Sequence, residues 1–377
     1  MAEKQILIIC GEPSGELHAA RLVEELKKLN PGIKISATGS QLLHNAGAEI
    51  FYDISGLSVM GFFDVFKKLP KFFSLKRQIL SKIKSDKPDA VILIDFSGFN
   101  LRLAKGIDNT VATIYYVSPQ VWASRSGRVK TIKKYIKRMI VLFKFERAFY
   151  KDYGIEADWV GHPLLDIVKP TMQKEELLKS LQLKENKITI TLLPGSRKQE
   201  VNRILPIMLK SAKIINESLD IQLLVGKSSQ VQWDTYNTLI NSSGLDVKIV
   251  EGKAYDCMNI ADFCMVCSGT ATLETAIMQK PYCLIYKMSY LNYLLYRPQI
   301  KLPYIGLANI VAGKKIIQEF IQFQASPKKI AEYVVNTLRN PVRLQDLREG
   351  LTKIKPALGE TGAAKSAAKI ILSLLSH

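Results

Sequence analysis

"ITITLLPGSRKQEVNRILPIMLKSAKIINES" occupies residues 188–218. An apolar run ends at Pro194, passes Gly195, Ser196 and Arg197, and gives way to a charged, helix-periodic segment. That order reads as a buried strand, a glycine turn and an amphipathic helix. The start of the chain has the same order: "QILIIC" (5–10), "GEPSGE" (11–16) and "LHAARLVEELKKL" (17–29). Between the two starts, "DAVILID" (89–95) and "VATIYYVS" (111–118) are further short apolar runs, with "FSGFNLRLAKGI" (96–107) between them. After residue 188 come "IQLLVG" (221–226), "DVKIVEG" (246–252), "DFCMVCSG" (262–269) and "PYCLIYK" (281–287). Buried strands alternating with amphipathic helices indicate parallel βαβ units. The expected fold is therefore α/β, with two doubly wound, Rossmann-like domains of comparable size and a cleft between them. Residues 1–165 form the first and 166–345 the second; helices within 346–377 follow, free to pack on either.

The 377 residues suffice for two cores, and 47% hydrophobic with 23% charged residues is ordinary for a soluble globular chain. The five scattered cysteines make no disulfide framework and fit a reducing cytosol. Cys264 and Cys267 form a CxxC inside an apolar run, which reads as small buried strand residues rather than a metal site. No apolar stretch approaches the ~18–20 residues of a membrane span, and no signal-peptide pattern is present. A cytoplasmic protein is expected. The net charge of +19 asks for an anionic partner: nucleic acid, anionic lipid or phosphorylated substrate.

Three turns follow strands directly. Gly11, Ser14 and Gly15 end the first strand; Gly195, Ser196 and Arg197 end the strand at 188; Ser268, Gly269 and Thr270 open a helix with Glu274 one turn inside. Glycine lets a backbone turn and approach a ligand closely, and a helix start favours a phosphate. The same residue types also serve as ordinary caps. Two such turns in one domain favour a diphosphate site, with Arg197 as a forked cation and Glu274 toward ribose hydroxyls. No GxxxxGK[ST] or GxGxxG is present, so neither a P-loop nor the usual dinucleotide fingerprint is expected.

Asp95 ends a buried strand, where it is either a general base facing the crevice or a helix N-cap. His18 and His162 are secondary candidates. Residues 65–84, "VFKKLPKFFSLKRQILSKIK", carry lysines and an arginine interleaved with bulky apolar residues and no acid. Such a segment suits an anionic bilayer surface; a helix burying its aromatics and solvating its lysines is the competing reading.

Taken in order, "GEPSGELHAARL", "LSVMGFFDVFKKLP", "IDFSGFNLRLAK", "YYVSPQVWASR", "FERAFY", "VGHPLLD", "LLPGSRKQEV", "SGTATLE" and "LPYIGLANIVAGKKIIQEFIQ" resemble lipid-A-disaccharide synthase, an inverting GT-B glycosyltransferase family of Gram-negative bacteria. The likeness spans nearly the whole chain. It implies transfer from UDP-2,3-diacylglucosamine to 2,3-diacylglucosamine 1-phosphate (lipid X), giving the lipid A disaccharide 1-phosphate and UDP, with no cofactor and no metal. Asp95 matches the family's essential aspartate and Arg197 the arginine expected at the UDP leaving group. Ser268, Gly269, Thr270 and Glu274 match the nucleotide-binding helix start, and Asn309 an asparagine of the nucleotide pocket. Gly11, Ser14, Gly15 and His18 fall on the acceptor side, as do Met60, Phe62, Phe63, Phe66 and Phe72 of a membrane-facing or acyl-chain surface. The chain departs from the family at Gly98, where a second acid is common, and at Ser124, where an aromatic is usual. The resemblance also implies a peripheral enzyme on the inner face of the inner membrane and leaves room for a homodimer. Two other readings stay open: a different UDP-sugar-dependent GT-B transferase with a membrane lipid acceptor, and, more distantly, a basic nucleic-acid-binding protein. No nucleic-acid module is recognisable, so no nucleic-acid partner is expected.

Overall fold

The computed structural model describes residues 4–54, 62–124, 126–289, 293 and 302–376; of 13 and 62–69 it describes the backbone alone. The chain forms two compact units. Unit 1 is Met1–Pro163 with Leu358–His377, and unit 2 is Leu164–Ala357.

Unit 1 holds β1 (Gln5–Ile9), β2 (Lys34–Gly39), β3 (Glu49–Asp53), β4 (Ala90–Ile94), β5 (Ala112–Tyr116), β6 (Arg138–Val141) and β7 (Ala157–Trp159) in one sheet, ordered β3-β2-β1-β4-β5-β6-β7. Unit 2 holds β8 (Ile188–Leu193), β9 (Ile221–Lys227), β10 (Val247–Glu251), β11 (Phe263–Cys267), β12 (Tyr282–Tyr286) and β13 (Gln318–Ile321), ordered β10-β9-β8-β11-β12-β13. Every strand pair is parallel. Counted from its own first strand, each sheet runs 3-2-1-4-5-6, and β7 adds a seventh strand at the edge in unit 1. That order reverses once, between β1 and β4 in unit 1 and between β8 and β11 in unit 2, and ligands bind such sheets outside the strand ends at that reversal.

β4 and β11 are buried along their whole length, as central parallel strands covered on both faces must be. β11 carries Cys264 and Cys267; all five cysteines are buried and unbridged. Burial pushes the Cys264 and Cys267 thiols up to about 12, which makes them inert packing groups. β2, β3, β6, β7 and β13 were not read from the sequence. β2 carries buried Ser36 and Thr38, whose polarity hides a strand from an apolar-run search; β3, β7 and β13 lie at sheet edges and are short or half-buried.

The helix Pro13–Leu29 shows how a strand-end turn is fixed. Proline sits in its first turn with Glu16, and Lys27 and Lys28 lie in its last, so proline geometry and both charges suit the helix dipole. Its buried stripe is Ala19, Ala20, Leu22, Val23 and Leu26. The helix Ala363–Leu375 packs against it with Ala364, Ala367, Ala368 and Ile371 buried, small residues that let two helix backbones come close. Residues 346–357 stay with unit 2, so the return to unit 1 begins at Leu358, whose carbonyl accepts from the His162 backbone N–H.

Candidate active site

In unit 1, the turn after β1 and the end of β4 meet at the sheet's reversal point. A Cβ on Gly15 would lie 3.5 Å from both Asp95 Cβ and the Ile94 carbonyl, so glycine lets the first helix seat against the end of β4. The Asp95 carboxylate accepts hydrogen bonds from the Ser14 hydroxyl and the Phe96 N–H, yet burial outweighs them and raises its pKa above the ordinary carboxylate value. His18, one turn further on, faces Tyr116 edge-on with ring centroids 6.4 Å apart. Its Nδ1 is buried without a hydrogen-bond partner, and burial, then the Arg21 charge, hold the ring neutral with a pKa down to about 4.

The backbone around Asp95 is strained. Asp95 (φ 48°), Phe96 (φ 45°) and, at the end of β5, Val117 (φ 61°) all adopt left-handed conformations. Such residues cost on the order of 1–3 kcal/mol each and persist where the surroundings over-determine them; a β-branched residue such as Val117 is the least suited. The over-determination is visible. Asn100 Nδ2 donates to the Ile94 and Asp95 carbonyls at 3.2 and 2.9 Å, and the Tyr115 hydroxyl donates to the Asp95 carbonyl. Asn100 and Tyr115 are both fully buried. The Phe96 ring fills the space a side chain on Gly11 would need, only 2.3 Å from an added Cβ. Gly11 thus makes room for Phe96 rather than for a phosphate.

Phe96 opens an aromatic wall beside Asp95: it lies 5.3 Å from Phe99 and 5.8 Å from Phe72, and Phe72 lies 6.1 Å from Phe99. This brings Phe72, from the basic helix Phe62–Asp86, to the same corner as Asp95. Its neighbour Phe73 is 70% exposed. Of the other expected lipid-side residues, Met60 lies outside the described residues, as do the side chains of Phe62, Phe63 and Phe66.

Unit 2 repeats the corner with different chemistry. After β8, Gly195 adopts φ 111°, and Ser196 and Arg197 lead into the helix Lys198–Asn216. The expectation that this turn's N–H groups await an external anion needs correction, because Glu200 supplies one. Its Oε2 accepts from the Ser196 and Arg197 N–H groups at 3.1 and 3.2 Å, and its Oε1 pairs with Arg197 Nη1 at 3.5 Å. An added Cβ on Gly195 would lie 2.6 Å from Glu200 Oε2 and 3.4 Å from Cys267 Sγ. The glycine is needed for the internal carboxylate and for the close approach to β11. The Arg197 side chain itself is 77% exposed.

Across the reversal point, β11 ends in Ser268 and Gly269 (φ 153°), and the helix Thr270–Ile277 starts with no side-chain cap. Nothing lies within 4 Å of an added Cβ on Gly269, so the space beside this helix start is open. Glu274 is half-buried; burial raises its pKa while a hydrogen bond from Tyr255 acts against the rise. Residues 195–197 and 268–274 thus follow the adjacent ends of the paired strands β8 and β11.

Asn309 has a different place. It is fully buried beside the start of β13, donates to the Ile317 carbonyl and Glu319 Oε1, and accepts from the Ile316 and Ile317 N–H groups. With both donors and both acceptor sites used, its side chain has nothing left for a nucleotide. The Asn309 expectation is corrected: it braces Ile316, Ile317 and Glu319, and Glu319 in turn accepts from the Ile305 and Gly306 N–H groups. Reading of the residues did not single out Glu200, Val117, Asn100 or Tyr115. The one legible signal was Glu200, three residues after Arg197 as a capping-box acid.

The unit 1 corner offers a half-buried carboxylate with a raised proton affinity and an apolar aromatic wall, which suits proton abstraction from a hydroxyl. The unit 2 corner offers an open helix start with an exposed arginine, which suits stabilisation of an anionic group. Solved structures of the same architecture include a UDP complex of MnaA from S. aureus (TM-score 0.66, 14% identity, 99% of this chain and 98% of that one) and MurG from Acinetobacter baumannii (TM-score 0.57, 17% identity, 98% and 99%). At such identities they show the GT-B fold alone. Sequence relatives are far nearer: lipid-A-disaccharide synthases of Syntrophus aciditrophicus (40% identical, 100% of this chain and 99% of the relative) and Geobacter sulfurreducens (39%, 98% and 97%). With the profile described as "Lipid-A-disaccharide synthetase" matching residues 6–371, the chain belongs to the lipid-A-disaccharide synthase family and is a glycosyltransferase.

Proposed function

We propose that Asp95 is the general base of this transferase and that unit 2 holds the UDP donor. The donor is UDP-2,3-diacylglucosamine and the acceptor 2,3-diacylglucosamine 1-phosphate. Asp95 takes the proton from the acceptor 6-hydroxyl as that oxygen bonds to the donor's anomeric carbon. The bond from that carbon to UDP breaks in the same step, its electron pair leaves on the diphosphate, and the anomeric centre inverts. The observation that carries the reading is Asp95 itself: a half-buried carboxylate of raised pKa, held on two consecutive left-handed residues at the reversal point of its sheet.

Arg197 and the uncapped helix start at Thr270 act on the leaving diphosphate. Gly98, where the family often has a second acid, has nothing within 4 Å of an added Cβ, and the Asp95 corner is fully braced without an acid there. The wall of Phe72, Phe96 and Phe99 suits acyl chains. No helix among the described residues is long and apolar enough to cross a membrane. The basic helix Phe62–Asp86, with Phe73 exposed, and the +19 charge favour attachment to an anionic surface, the inner face of the inner membrane.

The test is an assay of the purified protein in detergent with both substrates. Disaccharide 1-phosphate and equimolar UDP are expected; no product from this pair sinks the assignment.

A further inference from the structure

Three segments of unit 1, 118–124, 142–150 and 160–162, have no part in the Asp95 corner. One carboxylate and an aromatic chain join them. Glu146 is 3% exposed and accepts from Ser118 Oγ at 2.5 Å, Trp122 Nε1 at 2.9 Å, the Leu142 N–H at 3.2 Å and the Phe143 N–H at 3.0 Å. The Tyr150 hydroxyl reaches the Pro119 carbonyl at 3.5 Å. Trp122 meets Phe145 edge-on at 4.9 Å, Phe145 stacks on Phe143 at 5.3 Å, and Phe143 lies 5.0 Å from His162. The segment after β5 is therefore gripped from the helix Lys144–Asp152. The grip offsets the left-handed strain at Val117, the residue just before Ser118.

The gripped segment delivers Arg128. This half-buried residue ends the short turn Ser126–Arg128, and Val129 and Ile132 just after it are buried anchors. Arg128 Nη1 donates to Ser97 Oγ at 3.3 Å. Its charge also acts on the Tyr115 hydroxyl, the group that donates to the Asp95 carbonyl. Ser97 follows Asp95 by two residues, so its hydroxyl lies on the order of one sugar ring from the carboxylate. A hydroxyl is a partner that a phosphate oxygen readily replaces on a guanidinium.

We propose that Arg128 binds the phosphate of the acceptor, and that Glu146 is the positioning residue that holds Arg128 there. The inference rests on the acceptor reading above. It accounts for the strain at Val117 and for a fully hydrogen-bonded buried carboxylate far along the chain from Asp95.

The experiment uses the full chain in detergent with fixed donor and two acceptors: 2,3-diacylglucosamine 1-phosphate and the same lipid without its phosphate. Wild type should prefer the phosphorylated acceptor. Arg128→Ala should lose about tenfold or more in kcat/KM on that acceptor alone, erasing the preference, with Arg128→Lys intermediate. Glu146→Gln puts an amide donor against an N–H donor in either orientation, Trp122 Nε1 or the two backbone N–H groups, and should raise the phosphorylated acceptor's KM about tenfold while the donor KM stays put. Ser118→Ala, a milder change, should move the same constant in the same direction. Equal losses on both acceptors in Arg128→Ala, or an unchanged preference, overturn the phosphate role. Wild-type constants in the folded fraction of Glu146→Gln and Ser118→Ala overturn the positioning role. If wild type turns over neither acceptor, the functional reading fails, and equilibrium binding of the two lipids to wild type and Arg128→Ala decides this one: a phosphate-dependent difference lost in the variant sustains it, and no difference ends it.

Discussion

The two sheets reverse at the same place in the same strand order, yet they treat the backbone there in opposite ways. In unit 2 the positive φ angles fall on Gly195 and Gly269, where they cost little, and the turn after β8 is closed by its own Glu200. In unit 1 they fall on Asp95, Phe96 and Val117, where they are costly, and a network of Asn100, Tyr115 and Glu146 holds them. The lesson is a division of labour within one topology. A relaxed glycine corner accommodates an internal carboxylate at Gly195 and leaves open space at Gly269. A strained corner fixes the placement of one side chain, Asp95, for which we propose the role of base.

Substitutions that exchange the two backbone regimes bear on this contrast most strongly. Gly195→Ala forces a side chain onto φ 111° and against Glu200. It should destabilise unit 2 by about 2–3 kcal/mol, a fall of roughly 5–10 °C in its unfolding temperature. Glu200→Ala alone should cost about 1 kcal/mol, the usual worth of a cap. Added to Gly195→Ala it should cost less than when made alone, because the 2.6 Å contact with the carboxylate goes while the 2.8 Å contact with the Cβ of residue 200 stays. Strict additivity would show that Gly195 and Glu200 are independent. Val117→Gly should move stability by no more than about 1 kcal/mol, since relief of strain offsets the lost side chain; a loss as large as that of Gly195→Ala would mean Val117 is not strained.

Acid should separate the units more gently. All four histidines lie in unit 1. His18 and His162 are held neutral, their pKa values lowered from 6.5 to about 4 and about 3, chiefly by burial. The unfolded chain therefore takes up protons first as pH falls. The stability that the neutral rings represent is complete above 6.5, declines below it, and is lost by about 3. Between pH 7 and pH 6 the decline should be about 1 kcal/mol for the pair. Hydrogen exchange should report it in peptides of unit 1 and not of unit 2, and His162→Gln should halve it. Equal sensitivity in both units would place the acid response elsewhere.

The central strands are legible in the sequence. Central strands such as β1, β4, β8 and β11 announce themselves because burial on both faces demands unbroken apolar runs. Asp95, Arg197 and the turn at Ser268 stand out because polar residues at a strand's carboxyl end follow directly on such a run. The partners of those residues do not. Glu200, Asn100, Tyr115 and Glu146 act through hydrogen bonds set by tertiary placement, and nothing in their local spacing separates them from ordinary helix or strand residues. Asn309 shows the converse: its motif suggested a ligand contact, and only the fold reveals that all its polar capacity is used internally.

The division of labour is tested most directly by measuring turnover and UDP affinity in the same preparation of Asp95→Asn, beside Arg197→Ala. Asp95→Asn should lose about 10²–10⁴ in kcat with UDP affinity unchanged, while Arg197→Ala should weaken UDP binding and lower turnover by about 10². Near-normal turnover in Asp95→Asn, or a loss of UDP binding matching its loss of activity, would contradict the assignment of chemistry to one corner and donor binding to the other.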